Sequence, residues 1–254
     1  MPRYRMTMEF SGVQPQVDLT YSDVFLVPRR SAKSSRLDVE LAPGDGTAAT
    51  IPIVSSNMNS VPGPRLAAVP ARRGGLGVLP QDLPLQDLDA AIRWVKAQPT
   101  AWDTALVLGA EATVAEARRM LPPAEGHGIV VGRSVDGVLR MEDVTGVVAA
   151  SRLPTALSDA RLGDLVHARP IAIEAEDIRD GRAAFELIVA ADAELVLVVR
   201  RGEVIGTLSR RGALRSTLYR PAVDASGRLH VAAAIGISGD VAAKARALAA
   251  AGVD

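Results

Sequence analysis

The feature that most constrains the fold of this chain is a repeat near its middle. Ala105-Leu-Val-Leu-Gly-Ala-Glu111 is echoed by Pro170-Ile-Ala-Ile-Glu-Ala-Glu176. In the first copy Thr113 and Glu116 have the spacing of a capping box, ahead of a helix carrying Val114, Ala117 and Leu121. In the second, a helix through Phe185, Leu187 and Ile188 precedes a β-prone run from Glu194 to Val199. A turn at Arg201-Gly202 leads into Glu203 to Leu208, and another helix starts from Ser209. A strand, helix, hairpin, helix unit used twice predicts a tandem α+β module over residues 100–213, inserted into the chain around it.

The flanks, 1–99 and 214–254, have a different texture. Ile51 to Ser55 and Gly75 to Leu79 are short β-prone runs, and Pro64 to Arg73 between them reads as a helix. Pro70 inside it costs about 3 kcal/mol in a regular helix, so that helix is expected to be short or kinked. Leu85, Leu88, Ile92 and Val95 fall at helical spacing and predict an amphipathic helix to Ala97. Beyond the module, Leu229 to Ile235 reads as a strand and Gly236 as a turn. Asp240 to Ala251 reads as a helix with Ser238 or Asp240 as N-cap and Gly252 as its stop, and Val253-Asp254 as the opening of another strand. Alternating strands and helices indicate a parallel α/β fold. Outside the module roughly 140 residues remain, against roughly 200 for the smallest (β/α)8 barrel, so a partial barrel of about three βα units or a smaller fold is expected.

Composition excludes several function classes. Lys plus Arg and Asp plus Glu are equal at 29 each, and the arginines are scattered, so no polyanionic nucleic-acid partner is expected. The absence of cysteine rules out disulfides and thiolate-bound metal within the chain. His127, His167 and His230 are isolated and lack metal-ligand spacing, and no Gly-x-Ser-x-Gly turn is present for Ser-His-Asp chemistry. Met1 to Glu9 lacks the apolar core of a signal peptide, and no apolar run is long enough for a bilayer span. A soluble, cytoplasmic protein without membrane contact is expected. Aromatic residues make up 3% of the chain, so its core must be built from Val, Leu, Ile and Ala.

Four ordered segments carry a family resemblance. Asp18-Leu-Thr-Tyr-Ser-Asp-Val-Phe-Leu-Val-Pro-Arg-Arg-Ser31 is similar to the N-terminal signature of IMP dehydrogenases and GMP reductases. Ile51-Pro-Ile-Val-Ser-Ser-Asn-Met-Asn-Ser-Val61 resembles that family's first barrel strand and loop, and Gly74-Gly-Leu-Gly-Val-Leu79 its second strand. The run from Pro221 to Gly236 resembles the return into the barrel after a pair of CBS domains. The resemblance implies a (β/α)8 TIM barrel, present in part, interrupted by a tandem CBS insertion. Asn57-Met58 resembles GMP reductases, and Leu79-Pro-Gln-Asp-Leu83 lacks the His usual in both enzymes. Both features resemble a CBS-containing actinobacterial branch called IMP dehydrogenase-related.

The activity so implied is conversion of GMP to IMP and ammonia with NADPH. NAD-dependent IMP dehydrogenase, with potassium, is the alternative, and an inert fragment retaining a nucleotide-sensing CBS module is another. The implied catalytic residue is a cysteine, which this chain lacks, so no catalytic residue is nominated and the chain by itself is expected to be inactive. Residues holding the nicotinamide cofactor are not expected within it either. Strand-to-helix loops carry function in such barrels. The resemblance therefore places Ser56, Asn57, Met58 and Asn59 at the purine mononucleotide, with Asn59 departing from the aspartate usual in IMP dehydrogenases. Gln81 reads either as a substrate contact or as a cap for the next helix. CBS domains hold an adenine nucleotide through Ser or Thr and then Asp. Here Thr207, Ser209 and Arg210 are the candidates, with Gly212 where the acid is expected. A homotetramer is the assembly the family implies.

Overall fold

The computed structural model describes residues 16–25, 27–28, 30, 32–58, 63–121, 126–166 and 170–254. Its elements run β1 (Val54–Ser55), α1 (Pro64–Arg72), β2 (Leu76–Leu79), α2 (Leu85–Lys96), β3 (Val107–Leu108), α3 (Val114–Met120), β4 (Gly128–Gly132) and β5 (Val144–Ala149). They continue with β6 (Ala172–Glu174), α4 (Gly181–Ala190), β7 (Leu195–Arg200), β8 (Glu203–Ser209), α5 (Arg210–Leu218), β9 (Val231–Ala233) and α6 (Val241–Ala251). Among the described residues no helix is long and apolar enough to cross a membrane.

The flanks join in one parallel sheet of order β1-β2-β9, which is open rather than closed among the described residues. The strand of residues 231–233, far along the chain, lies beside β2 with Gly77 opposite Val231. Helix α1 lies almost in contact with this sheet. A Cβ on Gly77 would stand 2.4 Å from the Cα of Ala67, so only glycine permits this approach. Ala67, Ala68 and Ala71 then pack with Leu79, Ile92, Val95, Leu229 and Val231 into an aliphatic core. Helix α1 ends at Arg72, and Pro70 lies in its last turn, where its carbonyl accepts from Arg73 and Gly75. That helix is short, as Pro70 requires. Helix α6 is capped by Asp240, whose carboxylate accepts the Ala243 N–H at 2.8 Å, and it ends on Gly252 in the left-handed region.

The inserted module is two copies of a strand, helix, strand, strand arrangement. Each gives a three-stranded sheet in which the first pair is parallel and the second antiparallel, β3-β4-β5 and β6-β7-β8. In the first copy Thr113 and Glu116 form the reciprocal capping box of α3. In the second, Arg201 and Gly202 both take positive φ in the tight turn between β7 and β8. Val130, Leu139, Leu197 and Val199 pack the two sheets against each other. The copies differ at their ends. Helix α5 closes the second, whereas residues 150–155 close the first as a 3₁₀ turn containing Pro154. Helix α5 also continues past the expected boundary at 213 to Leu218, because Ala213 is buried in the core of the second copy.

Three strands were expected to be longer than they are. Ile51–Ser55, Gly75–Leu79 and Leu229–Ile235 shrink to Val54–Ser55, Leu76–Leu79 and Val231–Ala233, since a strand extends only as far as its ladder partner.

A buried ionic cluster closes the end of the parallel sheet at which β9 begins. The Lys96 ammonium, 4% exposed, donates to Asp224 at 3.0 Å and to Asp254 at 2.5 Å. Asp254 also accepts the Val231 N–H, and its own N–H donates to the Val231 carbonyl. His230 lies 3.5 Å from Asp254. Burial works to raise the Asp224 pKa. Backbone and side-chain donors from Arg228, Lys96 and Ser226 outweigh it and hold the carboxyl well below the usual range. Lys96→Met, which leaves Asp254 without its ammonium and Asp224 with Arg228 alone, is expected to cost about 3 kcal/mol in chemical denaturation. A group with a lowered folded pKa contributes fully above its unfolded value, ~3.9, and loses that contribution as the pH falls toward the folded one. The stability gap between wild type and Asp224→Asn is therefore expected to be widest near neutrality and to narrow below about pH 4.

Candidate functional site

In a parallel sheet the loops leaving the carboxyl ends of the strands gather on one face. Here these are the segments after Ser55, Leu79 and Ala233. The Ala234 N–H donates to the Leu79 carbonyl at 2.9 Å, which ties the ends of β2 and β9 together. Ser56, Asn57 and Met58 leave β1 with their side chains open to solvent, Met58 at 55%. Asn59 lies outside the described residues. Ser55 was not singled out from the sequence, yet its hydroxyl is buried and has no hydrogen-bond partner among the described residues. A buried, unsatisfied hydroxyl at a strand's carboxyl end is ready to take a polar ligand atom.

Gln81 does not cap α2. The N-cap position there is Pro84, which has no side-chain oxygen to offer. The Gln81 amide oxygen lies instead against the loop after β9, 3.3 Å from where a Cβ on Gly236 would be. The loops after β1 and β2 thus bring hydroxyl, amide and thioether groups to the face that the loop after β9 shares.

The module contains two further clefts, and the residues expected at a regulatory nucleotide are divided between them. Thr207 lines a cleft of about 330 Å³ between α1 and the module. Arg210 lines one of about 880 Å³ between the two copies, with Ser151, Glu194 and Arg211, and pairs with Asp192 at 3.6 Å. Ser209 is 2% exposed, and its hydroxyl accepts the Gly212 N–H at 2.9 Å as the N-cap of α5. Where an acid was expected at position 212, the carboxylate of Asp103 stands nearby. A Cβ on Gly212 would be 3.6 Å from its Oδ2. Asp103 belongs to the segment entering the module and carries no motif, so the sequence offered no signal for it.

That entering segment is held by arginines of α1. The Arg72 guanidinium donates to the Pro99 carbonyl at 2.7 Å and to the Thr104 hydroxyl at 2.5 Å, and Arg65 donates to the Ala105 carbonyl at 3.1 Å. Burial pushes the Arg72 pKa down to about 10, with Asp103 acting in the opposite sense and Arg73 and Arg65 adding to the fall. Among the histidines, His127 is half-buried at the start of β4 and His230 belongs to the Lys96 cluster, while His167 lies outside the described residues. Ser209→Ala removes the α5 cap and is expected to lower the midpoint of thermal or urea unfolding by the equivalent of about 1 kcal/mol, whether or not a nucleotide is present.

Comparison with known proteins adds a family to this geometry. Residues 18–254 match the model of the IMP dehydrogenase / GMP reductase domain. The chain is 41% identical over 249 residues to the GMP reductase of Mycobacterium tuberculosis strain H37Rv, covering 96% of this chain and 49% of that protein. It is 31% identical over 252 residues to the GMP reductase of Leishmania major, covering 93% and 49%. With the inosine-5′-monophosphate dehydrogenase of Methanocaldococcus jannaschii the figures are 30% over 226 residues, 85% and 43%. The chain thus spans about half the length of the curated relatives it matches. In fold it is similar to the crystal structure of GMP reductase from Trypanosoma brucei in complex with guanosine 5′-triphosphate, with a TM-score of 0.55 and 24% identity. That match covers 93% of this chain and 57% of the other.

Proposed function

The chain belongs to the IMP dehydrogenase / GMP reductase family, and from that premise we propose that the protein carrying it is a GMP reductase. The reaction is GMP + NADPH + 2 H⁺ → IMP + NADP⁺ + NH₄⁺, in which hydride reaches the purine carbon that loses the amino group. The single observation behind the choice over IMP dehydrogenase is the greater identity to the mycobacterial GMP reductase along nearly the whole chain. Asn57-Met58 after β1 favours the same choice.

In this reading the sheet β1-β2-β9 is the opening of a (β/α)8 barrel, and residues 100–213, with α5 running on to 218, are a tandem CBS pair. Residues 1–99 and 214–254 are the barrel parts. The face after β1, β2 and β9 receives the purine mononucleotide. Ser55 and Ser56 offer hydroxyls to its polar edges, Asn57 an amide, and Met58 a polarizable thioether to pack on the ring. Asn59 belongs to the same loop. These groups suit a nucleoside, not the additional phosphate of NADPH. No residue of this chain is therefore assigned to the nicotinamide cofactor or to the covalent step. Potassium belongs to the dehydrogenase alternative. An adenine nucleotide in the cleft between the two copies, beside Ser151 and Arg210, is the regulatory ligand of this reading. The working assembly is a cytoplasmic homotetramer.

The discriminating experiment uses the full-length protein: NADPH oxidation with GMP against NAD reduction with IMP. Turnover only in the second assay would replace GMP reductase with IMP dehydrogenase. Ser56→Ala and Met58→Ala are each expected to raise the KM for GMP by roughly tenfold, the effect of losing about 1.4 kcal/mol of binding shared by ground and transition states.

A further inference from the structure

The loop that leaves β9 is tied down at its two ends. At its start the Ala234 N–H donates to the Leu79 carbonyl at 2.9 Å, and at its far end the Asp240 carboxylate caps α6. Between these anchors, residues 235–238 make no backbone hydrogen bond with a described residue. Ile235, Ile237 and Ser238 are exposed, Ile237 at 97%, yet Gly236 among them is half-buried. The side chain that lies on it is Gln81. A Cβ on Gly236 would stand 3.3 Å from the Gln81 Oε1 and 3.6 Å from its Cδ. Apart from its chain neighbours, nothing else among the described residues comes within 4 Å of that position.

Gln81 reaches this place from the carboxyl end of β2. The buried Pro80 before it has a fixed φ and sets the direction in which the chain leaves Leu79. The bond between Ala234 and Leu79 keeps the two strand ends together, so the glutamine stem is long enough to lie along the neighbouring loop. Its amide makes no hydrogen bond with a described residue. A primary amide has one acceptor oxygen and two donor hydrogens, and the N–H and C=O groups of residues 235–238 beside it are likewise unused within the protein. Gly236 does not take a positive φ, so its backbone does not call for glycine. What the missing Cβ provides there is room for the Gln81 amide.

We propose that Gln81 is a positioning residue for the purine-nucleotide reaction: its amide braces residues 235–238 and holds the loop after β9 in the arrangement that receives the nucleotide. The inference rests on the reading that the face after β1, β2 and β9 is the nucleotide site. A loop anchored only at its ends spends part of its time in other arrangements, and apparent affinity falls in proportion to the competent fraction. The brace raises that fraction. Its loss therefore acts on KM and leaves kcat in place.

Steady-state kinetics of the full-length protein, with whichever of GMP and IMP it turns over, test the brace. Gln81→Ala is expected to raise the KM for the nucleotide roughly fivefold and to hold kcat within about twofold of wild type. Without nucleotide, the amides of residues 235–238 are expected to exchange hydrogen roughly fivefold faster in Gln81→Ala, at an unchanged thermal midpoint. Gly236→Ala displaces the amide and is expected to raise KM as well, but to add nothing in the Gln81→Ala background, as for two residues acting through one contact. Gln81→Glu keeps the reach and the acceptor and is expected to recover part of the loss. Unchanged KM in Gln81→Ala, additive effects in the double variant, unchanged loop exchange, or a fall in kcat at constant KM would each overturn the proposal. If Ser56→Ala and Met58→Ala also leave KM unchanged, the nucleotide face falls with the brace; if they raise it and Gln81→Ala does not, the brace alone falls.

Discussion

The arrangement of this molecule depends on one buried guanidinium. Arg72 terminates α1 and reaches across to the Pro99 carbonyl and the Thr104 hydroxyl, so the segment leaving α2 is tied to the helix that packs on β2. Burying a charge is expensive unless its donors are used. Arg72 spends them on the backbone and hydroxyl of a segment that otherwise has no regular structure. The direction in which the inserted module leaves the sheet follows from that one set of contacts. Arg65, two turns earlier on α1, extends the same line to Ala105.

At the opposite end of the sheet's logic stands Lys96. It joins three stretches remote in sequence, the end of α2, the loop before β9 and the residues after α6. Lys96 thus fixes the return of the chain as Arg72 fixes its departure. The strands between need only be short, because helices and ions at their margins supply the register. This leaves the loops at the carboxyl ends of the strands free to carry polar groups such as the Ser55 hydroxyl, which contribute nothing to the fold.

Local signals in the sequence were sufficient for most helices, although the helix expected to close the first copy of the module is a 3₁₀ turn, broken by Pro154. Thr113 with Glu116, and Asp240 with Gly252, specify helix ends through bonds between near neighbours. The repeat at 105 and 170 identified the doubled module for the same reason, since each copy restates its own short-range code. Strand lengths were less legible. Ile51 and Ile53 are as β-prone as Val54, but Pro52 between them has no N–H to give, and Leu76 and Gly77 offer ladder positions only to Val54 and Ser55. The loop itself was legible where it directly follows a strand, as at Ser56 to Met58 after β1. A side chain's role was not legible where it depends on a distant partner. Gln81 has the composition of a cap and lies against Gly236 instead, while Ser209 has the composition of a ligand and serves as a cap.

The two ends of the module are anchored to adjacent residues of one helix. Pro99 is held by the Arg72 side chain, and on the way out the Ala222 N–H donates to the Ala71 carbonyl. A segment whose ends meet in this way closes its loop at an entropic cost that rises only slowly with length. The host sheet therefore sees much the same boundary whether a hundred residues or a handful lie between those anchors. A module attached like this is portable: it can be gained, exchanged or discarded in the course of descent while the order of the parallel strands stays as it is.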